Sequence, residues 1–356
     1  MPKTIAMQGL QRKTATRPDE RGIVDYLVEH VNAYQREVVV NYYVALKTKP
    51  FVILAGPPDV DKMCLAQGLA EILVGWPSLQ WCLFQAHPWW TTRTGAPGHF
   101  AMAHAQFNTV KLLDSIEAAL AGEAIGLPFF IGIERMSPAE VVCYFDDLPR
   151  GLLWQADGST VRIHRSKNLY ITGTLDVEGQ ARVVLSQEVY RHAMVIQVDR
   201  AHFAPSARRR KTSQRRLDWQ QRFARSTIRH GDHARAKLAQ ILPNGHAPFA
   251  PLDELERRLG VADFSPFVFE EAWLYLANAF DSDRRGLFVE PVIENLRIAQ
   301  DYVLMQSVLP RVRSQWAGAP GIWSEVSEYL APRFPRAYAW VVTSHSPEVA
   351  ESRRKV

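Results

Sequence analysis

The sequence predicts an α/β fold: a parallel sheet flanked by helices, followed by an all-helical region. Three observations predict it. Short apolar runs recur at 51–55, 129–133, 169–174 and 194–198, with the length and residue types of strands buried on both faces. Stretches with helical spacing of apolar residues lie between them. After Asp199 the strand-like runs stop and only helical patterns remain.

Residues 1–20 are polar and basic, without periodicity, and are expected to be loose. From Ile23 to Leu46 the apolar positions recur at helical spacing: Ile23, Leu27, Val31 and Tyr34, then Val38 to Val44. Phe51 to Ala55 is the first buried strand. Lys62 to Val74 places Leu65, Leu69, Ile72 and Leu73 on one helical face, and Gly75-Trp76-Pro77 ends it. Trp81 to Gln85 reads as a strand. Thr109 to Leu120 reads as a helix with Leu112, Leu113, Ile116 and Leu120 on one face. Phe129 to Ile133 is a strand ending in Glu134, Ala139 to Leu148 a short helix, and Val161 to His164 a short strand. Leu169 to Thr174 and Met194 to Val198 complete the buried strands. Beyond them, proline-rich breaks at 243–251, 310 and 332–335 divide helices. The expected organisation is a flexible segment 1–20, an α/β core 21–200, a basic connector or insertion 201–245, a helical domain 246–340 and a tail 341–356.

The chain has 356 residues, 47% of them hydrophobic, which is enough for one large domain or two ordinary ones. It contains no run of 18 apolar residues and no signal-peptide pattern, so no membrane insertion or secretion is expected. Cys64, Cys82 and Cys143 are far apart and follow no metal spacing; they are expected to be reduced thiols of a cytoplasmic protein, with no metal site. Residues 201–240 hold eleven basic side chains and two acidic ones, a local net of +9 within a chain of net charge +5. The basicity is therefore one local feature.

The first strand runs into Gly56-Pro57-Pro58-Asp59-Val60-Asp61-Lys62-Met63. A phosphate-binding Walker A loop reads G-x-x-x-x-G-K-[ST]. Gly56 and Lys62 are in register with it, but Asp61 stands at the second glycine and Met63 at the Ser/Thr. Such a loop cradles phosphates with backbone N–H groups at a helix N-terminus. Asp61 and Asp59 bring negative charge to that place, and two unit charges about 5 Å apart repel by roughly 3 kcal/mol at an effective dielectric of 20. Met63 has no hydroxyl for Mg²⁺. The alternative is an ordinary turn after a strand.

Downstream blocks decide between these. Tyr43 to Gly56 resembles the entry into Walker A of the McrB-like AAA+ family, the nucleotide-driven subunits of modification-dependent restriction systems in the MoxR-like branch. His87-Pro88-Trp89-Trp90-Thr91-Thr92 resembles that family's P-x-W-T-D segment. Phe129 to Asp147 resembles its Walker B block, Asn168 to Thr174 its sensor strand, and Leu185 to Val198 its finger segment. Gln300-Asp301 through Leu309-Pro310-Arg311 resembles its lid. The resemblance spans about 41–340 with the motifs in order. It implies an AAA+ P-loop module with a parallel sheet, then a C-terminal all-helical lid. The family's N-terminal DNA-reading module is not expected, because only about 20 to 40 residues precede the core.

The departures bear on function. The resemblance places the Walker B aspartate on Glu134 and the catalytic glutamate on Arg135, and an arginine cannot act as a base. The motif's Asn falls on Ser137. The sensor asparagine falls on Asp176 and the arginine finger on His192, with Arg191 one position earlier. Phe264-Ser265-Pro266-Phe267 lacks the arginine that the family often places in its lid.

Structural alternatives accompany each position. Lys62 is expected to pair internally with Asp59 or Asp61, Glu134 to be salt-bridged, Asp176 to serve as a turn or cap, and Trp89 and Trp90 to pack. The run Arg208, Arg209, Arg210, Lys211, Arg215 and Arg216 is either a solvated connector or a salt-dependent contact to DNA or RNA phosphates. Trp219 and Phe223, four apart, are placed to dock one helical face.

The main expectation is a catalytically impaired AAA+ subunit, a scaffold or regulator in a defence or restriction complex, with hydrolysis absent or very weak. It would assemble as a homo- or hetero-oligomer with a McrC-like nuclease or a second AAA+ subunit. The first alternative is a working motor using ATP or GTP with Mg²⁺, bound at Gly56, Asp61, Lys62 and Met63. The second is a nucleic-acid-binding adaptor acting through 208–237.

Overall fold

The computed structural model describes residues 19–86, 112–142, 144–145, 148–154, 160–164, 166–177, 185–203, 217–243, 246–259, 266–313 and 320–345. Two helices open this part of the chain, α1 (Glu20–His30) and α2 (Arg36–Thr48). The Asp19 carboxylate caps α1 by accepting from the Gly22 amide at 2.7 Å. The helical pattern from Ile23 to Leu46 thus belongs to two helices. The break falls where Tyr34 bridges Phe203 backbone to backbone and gives its hydroxyl proton to the Asp61 carbonyl at 3.0 Å. Every residue of α2 from Val38 on is buried, because the helix lies between the sheet and the helical half of the chain.

The sheet contains β1 (Phe51–Gly56), β2 (Trp81–Gln85), β3 (Phe129–Met136), β6 (Leu169–Asp176) and β7 (Met194–Gln197). Its order is β2-β3-β6-β1-β7 and every pairing is parallel. The strands read as continuous apolar runs because both faces are covered. Val52 and Leu54 face α2, α3 (Met63–Val74) and the helical half; Phe51, Ile53 and Ala55 face a second cluster with Leu112, Ile116 and Phe145. The period of two along β1 sorts the side chains between the two clusters.

The elements on the second face are α4 (112–123) and α5 (Pro138–Val142). The helix expected over 139–148 is shorter than that: a π-type turn at 144–145 and a 3₁₀ turn Leu148–Arg150 follow α5. The strand expected over 161–164 is β5 (Thr160–Arg162). It pairs antiparallel with β4 (Leu152–Trp154) outside the main sheet.

After α6 (Gln187–His192) and β7, the described chain is helical. The helices are α7 (Leu217–Ser226), α8 (Gly231–Ile241), α9 (Ala250–Leu259), α10 (Pro266–Asn278), α11 (Val292–Val303), α12 (Leu309–Val312), α13 (Pro320–Leu330) and α14 (Pro335–His345). Pro310 does not break the run that holds it. The helix widens to a π turn over Leu304–Val308, which accommodates the absent N–H of the proline. Trp219 and Phe223 of α7 are both buried, Phe223 against Tyr43 and Tyr170 and Trp219 edge-on to Tyr26. Among the described residues no helix is long and apolar enough to cross a membrane.

Candidate functional site

The loop 57–62 leaves the carboxyl end of β1, the strand between β6 and β7. The connection after β1 runs to the far edge of the sheet, and β7 lies on the other side of β1. Open α/β sheets bind ligands at such switch points, outside the carboxyl ends of the strands. Gly56 is required by close approach: a Cβ there would lie 2.1 Å from the Val198 carbonyl oxygen. Across the sheet, Gly56 is in register with Asp176 at the end of β6.

Lys62 is 2% exposed, and its ammonium faces the loop itself. It donates to the Pro57 carbonyl at 2.6 Å, the Gly56 carbonyl at 3.1 Å and the Asp176 carboxylate at 2.8 Å. A lysine ammonium has three donors, and all three are used. The internal ion pair expected for Lys62 exists, but its partner is Asp176 rather than Asp59 or Asp61. Asp59 reaches the other way: the Nε of Arg200 donates to both its oxygens, at 2.7 and 3.0 Å. That bond holds the Asp59 carboxyl below its ordinary range. Asp176 is the counter-ion of the loop lysine.

The backbone of the loop is engaged as well. Pro57 and Pro58 have no N–H to offer. The Val60 amide donates to the Pro57 carbonyl and the Lys62 amide to the Val60 carbonyl, at 3.3 and 2.8 Å. Asp61 closes the start of α3, its carboxylate accepting from the Cys64 amide at 3.2 Å. The N-terminus of α3 thus carries a carboxylate of the chain. Met63 is buried and lies over β3, where a Cβ on Gly132 would come within 2.9 Å of its sulfur.

Glu134 and Arg135 lie at the end of β3, where the pairing with β6 shifts register between Ile133 and Met136. Arg135 has φ of 56°, the left-handed region that side chains seldom adopt, and its amide donates to the Thr174 hydroxyl at 2.9 Å. Its guanidinium is exposed. Burial pushes the Glu134 carboxyl above its usual range, the Asp61 charge adds to this and Arg135 opposes it. The expected salt bridge of Glu134 does not form among the described residues; Arg135 acts on it only through space.

Arg191 and His192 sit in the last turn of α6, away from these groups in the chain. Arg191 pairs with Glu188 at 3.1 Å and its guanidinium lies 5.4 Å from the ring centroid of Phe267 at the start of α10. Below them is a charge cluster that inspection of the sequence does not reveal. Lys49 and Arg311 both bond the Glu271 carboxylate, and both donate to the Tyr190 carbonyl. Burial would raise Glu271, but the Lys49 and Arg311 charges overcome it and hold its carboxyl down at about 2. Burial lowers Lys49 to about 8 despite Glu271.

Arg208, Arg209, Arg210, Lys211, Arg215 and Arg216, and likewise Trp89, Trp90 and Cys143, lie outside the described residues. The described remainder of the basic segment is only partly a surface feature. Arg229 donates to the Tyr170 hydroxyl at 2.7 Å, and Lys237 donates to the Phe280 carbonyl at 2.5 Å. The carboxylates of Asp19, Asp281 and Asp283 lie within 4.8 Å of one another, and the Arg285 guanidinium already bridges all three.

The sequence reading missed Arg200 as the partner of Asp59, and the prolines as absent donors. The prolines were visible in Gly56-Pro57-Pro58. The Asp59–Arg200 contact joins residues 141 apart in the chain, with no local signal. No protein-family model matches this chain, and no curated protein matches it.

Proposed function

We propose that the chain is a P-loop subunit of the AAA+ type whose nucleotide site is filled by its own side chains, and that it acts as a scaffold or regulatory subunit. The observation that carries this reading is Lys62, whose three donors are spent on Gly56, Pro57 and Asp176. To receive a phosphate, the buried ammonium would have to give up its bond to the exposed Asp176 carboxylate and two carbonyls. The anion would then meet Asp61 at the helix start and Asp176 at the strand end. Neither Arg135 nor Met63 supplies what hydrolysis requires, a water-orienting carboxylate and a metal-binding hydroxyl. Assembly with other subunits, in a ring or with a nuclease of a restriction-type complex, is the role left to such a fold. Leu79, 95% exposed, and Trp76, 51% exposed, on the loop before β2 offer apolar surface for it.

Calorimetry with ATP and GTP at millimolar concentration, each with Mg²⁺, tests the reading, with turnover measured on the pure protein. The expected result is no binding and no phosphate release. Turnover that disappears in Lys62→Ala while the variant stays folded would overturn the reading in favour of a working motor.

A further inference from the structure

A cavity opens on the helical half of the chain. It is an open pocket of about 200 Å³ between the end of α7, the face of α8 and the turn 281–286, lined by Arg225, Ser226, Lys237, Gln240, Ser282 and Arg284 with two isoleucines. No carboxylate lines it, whereas three cations do. We propose that this cavity is an anion site for a small phosphomonoester, independent of the loop at Gly56–Lys62 and of the reading given to that loop.

The geometry of the cavity carries the inference. Arg284 has φ of 67° and closes a tight turn, with Phe280 bridging Gly286 and the Arg284 amide donating to the Asp281 carbonyl. Glycine or asparagine suits that left-handed position best, and an arginine there carries a conformational cost. Two contacts of the guanidinium, to the carbonyl and the side-chain oxygen of Gln240, are long, at 3.4 and 3.3 Å, and they leave donors over. Arg225 makes no ion pair with a described residue. Lys237 spends one donor on the Phe280 carbonyl and keeps two.

Burial, then Lys47, bring the Lys237 amine down to about 8, against the opposing pull of Glu20 and Asp281. Those two carboxylates are bonded elsewhere, Glu20 to Lys47 and Tyr43 and Asp281 to Arg285. A desolvated ammonium with free donors, in a pocket that two arginines also line, is matched in charge and donors by a phosphate dianion. The ligand is small, since the cavity is below the roughly 300 to 1,000 Å³ of sites for drug-sized molecules.

The test is a titration of the full chain with inorganic phosphate, with a nucleoside 5′-monophosphate and with a short single-stranded oligonucleotide, each followed by calorimetry. Arg284→Gly keeps the turn, since glycine accepts the left-handed backbone, and Arg225→Gln removes a charge from an exposed position. The expected result is saturable binding of phosphate or the monophosphate, weakened about tenfold or more in the Arg284→Gly, Arg225→Gln double variant. The same binding should be unchanged when Arg208, Arg209 and Arg210 are neutralised. No saturable binding in the native protein would overturn the proposal. So would binding equal in the double variant, or binding confined to the oligonucleotide. An unfolding midpoint of the ligand-free double variant within error of the native one shows that lost binding is not lost fold.

Discussion

Two cations share one carbonyl where the sheet, α6 and the helical half meet, and one carboxylate bonds both cations. Lys49 and Arg311 both donate to Tyr190, and Glu271 bonds both cations. Removing one member of such a cluster leaves the others uncompensated, which is the costly event for buried pairs. The pH dependence follows from Glu271. Its folded value of about 2 lies below its ordinary 4.5, so the unfolded chain binds the proton more readily. The stabilisation is fully present above about 4.5 and is lost as pH falls toward 2. Glu271→Gln should therefore be less stable than the native protein at pH 6, and the gap should shrink as pH falls below about 4.5. Urea unfolding of both proteins across that range measures it, and a gap independent of pH would mean that Glu271 acts by packing alone.

At the scale of elements, β1, β2, β6 and β7 were legible because each is a short apolar run whose neighbours restate its boundaries. The loop after β1 reads from Gly56 and Lys62 as resembling a phosphate loop altered at Asp61 and Met63. The partner of Lys62 was not legible, because Asp176 is 114 residues away and only the parallel register of β1 with β6 brings them together. The split of the first helical pattern was hidden for the same reason, since Tyr34 is held by Phe203. A further tie of this kind joins α2 to the helical half. The Asn41 side-chain oxygen, buried, accepts from the Tyr275 hydroxyl at 2.5 Å and from the Gln306 amide at 2.8 Å. Asn41→Ala leaves two buried donors unpaired, at about 1–3 kcal/mol each. A loss of about 2–4 kcal/mol is expected by urea unfolding, with the fold retained by circular dichroism. A loss within error would show that water replaces the amide.

For the whole molecule, the larger apolar cluster is the deciding fact. It contains α1, α2 and α3, one face of the sheet through Val52, Leu54, Phe130 and Ile196, and the inner sides of α8, α10, α11, α13 and α14. Polar ties also join the two halves: Arg336 of α14 bonds Glu37 of α2, and Arg285 bonds Asp19 ahead of α1. A motor that opens and closes about a nucleotide needs a few residues that absorb the movement while two bodies stay intact. Here the first-to-move boundary is the core itself, so movement would cost apolar burial along α2 and α10. The sheet half and the helical half should therefore unfold together. Calorimetry is expected to give one transition whose calorimetric and van't Hoff enthalpies agree. Cutting the chain between 204 and 216 and expressing the halves separately should give two insoluble or unfolded pieces that fold only when mixed. Two independent transitions, or a helical half that folds alone, would return the molecule to a core with a separable lid.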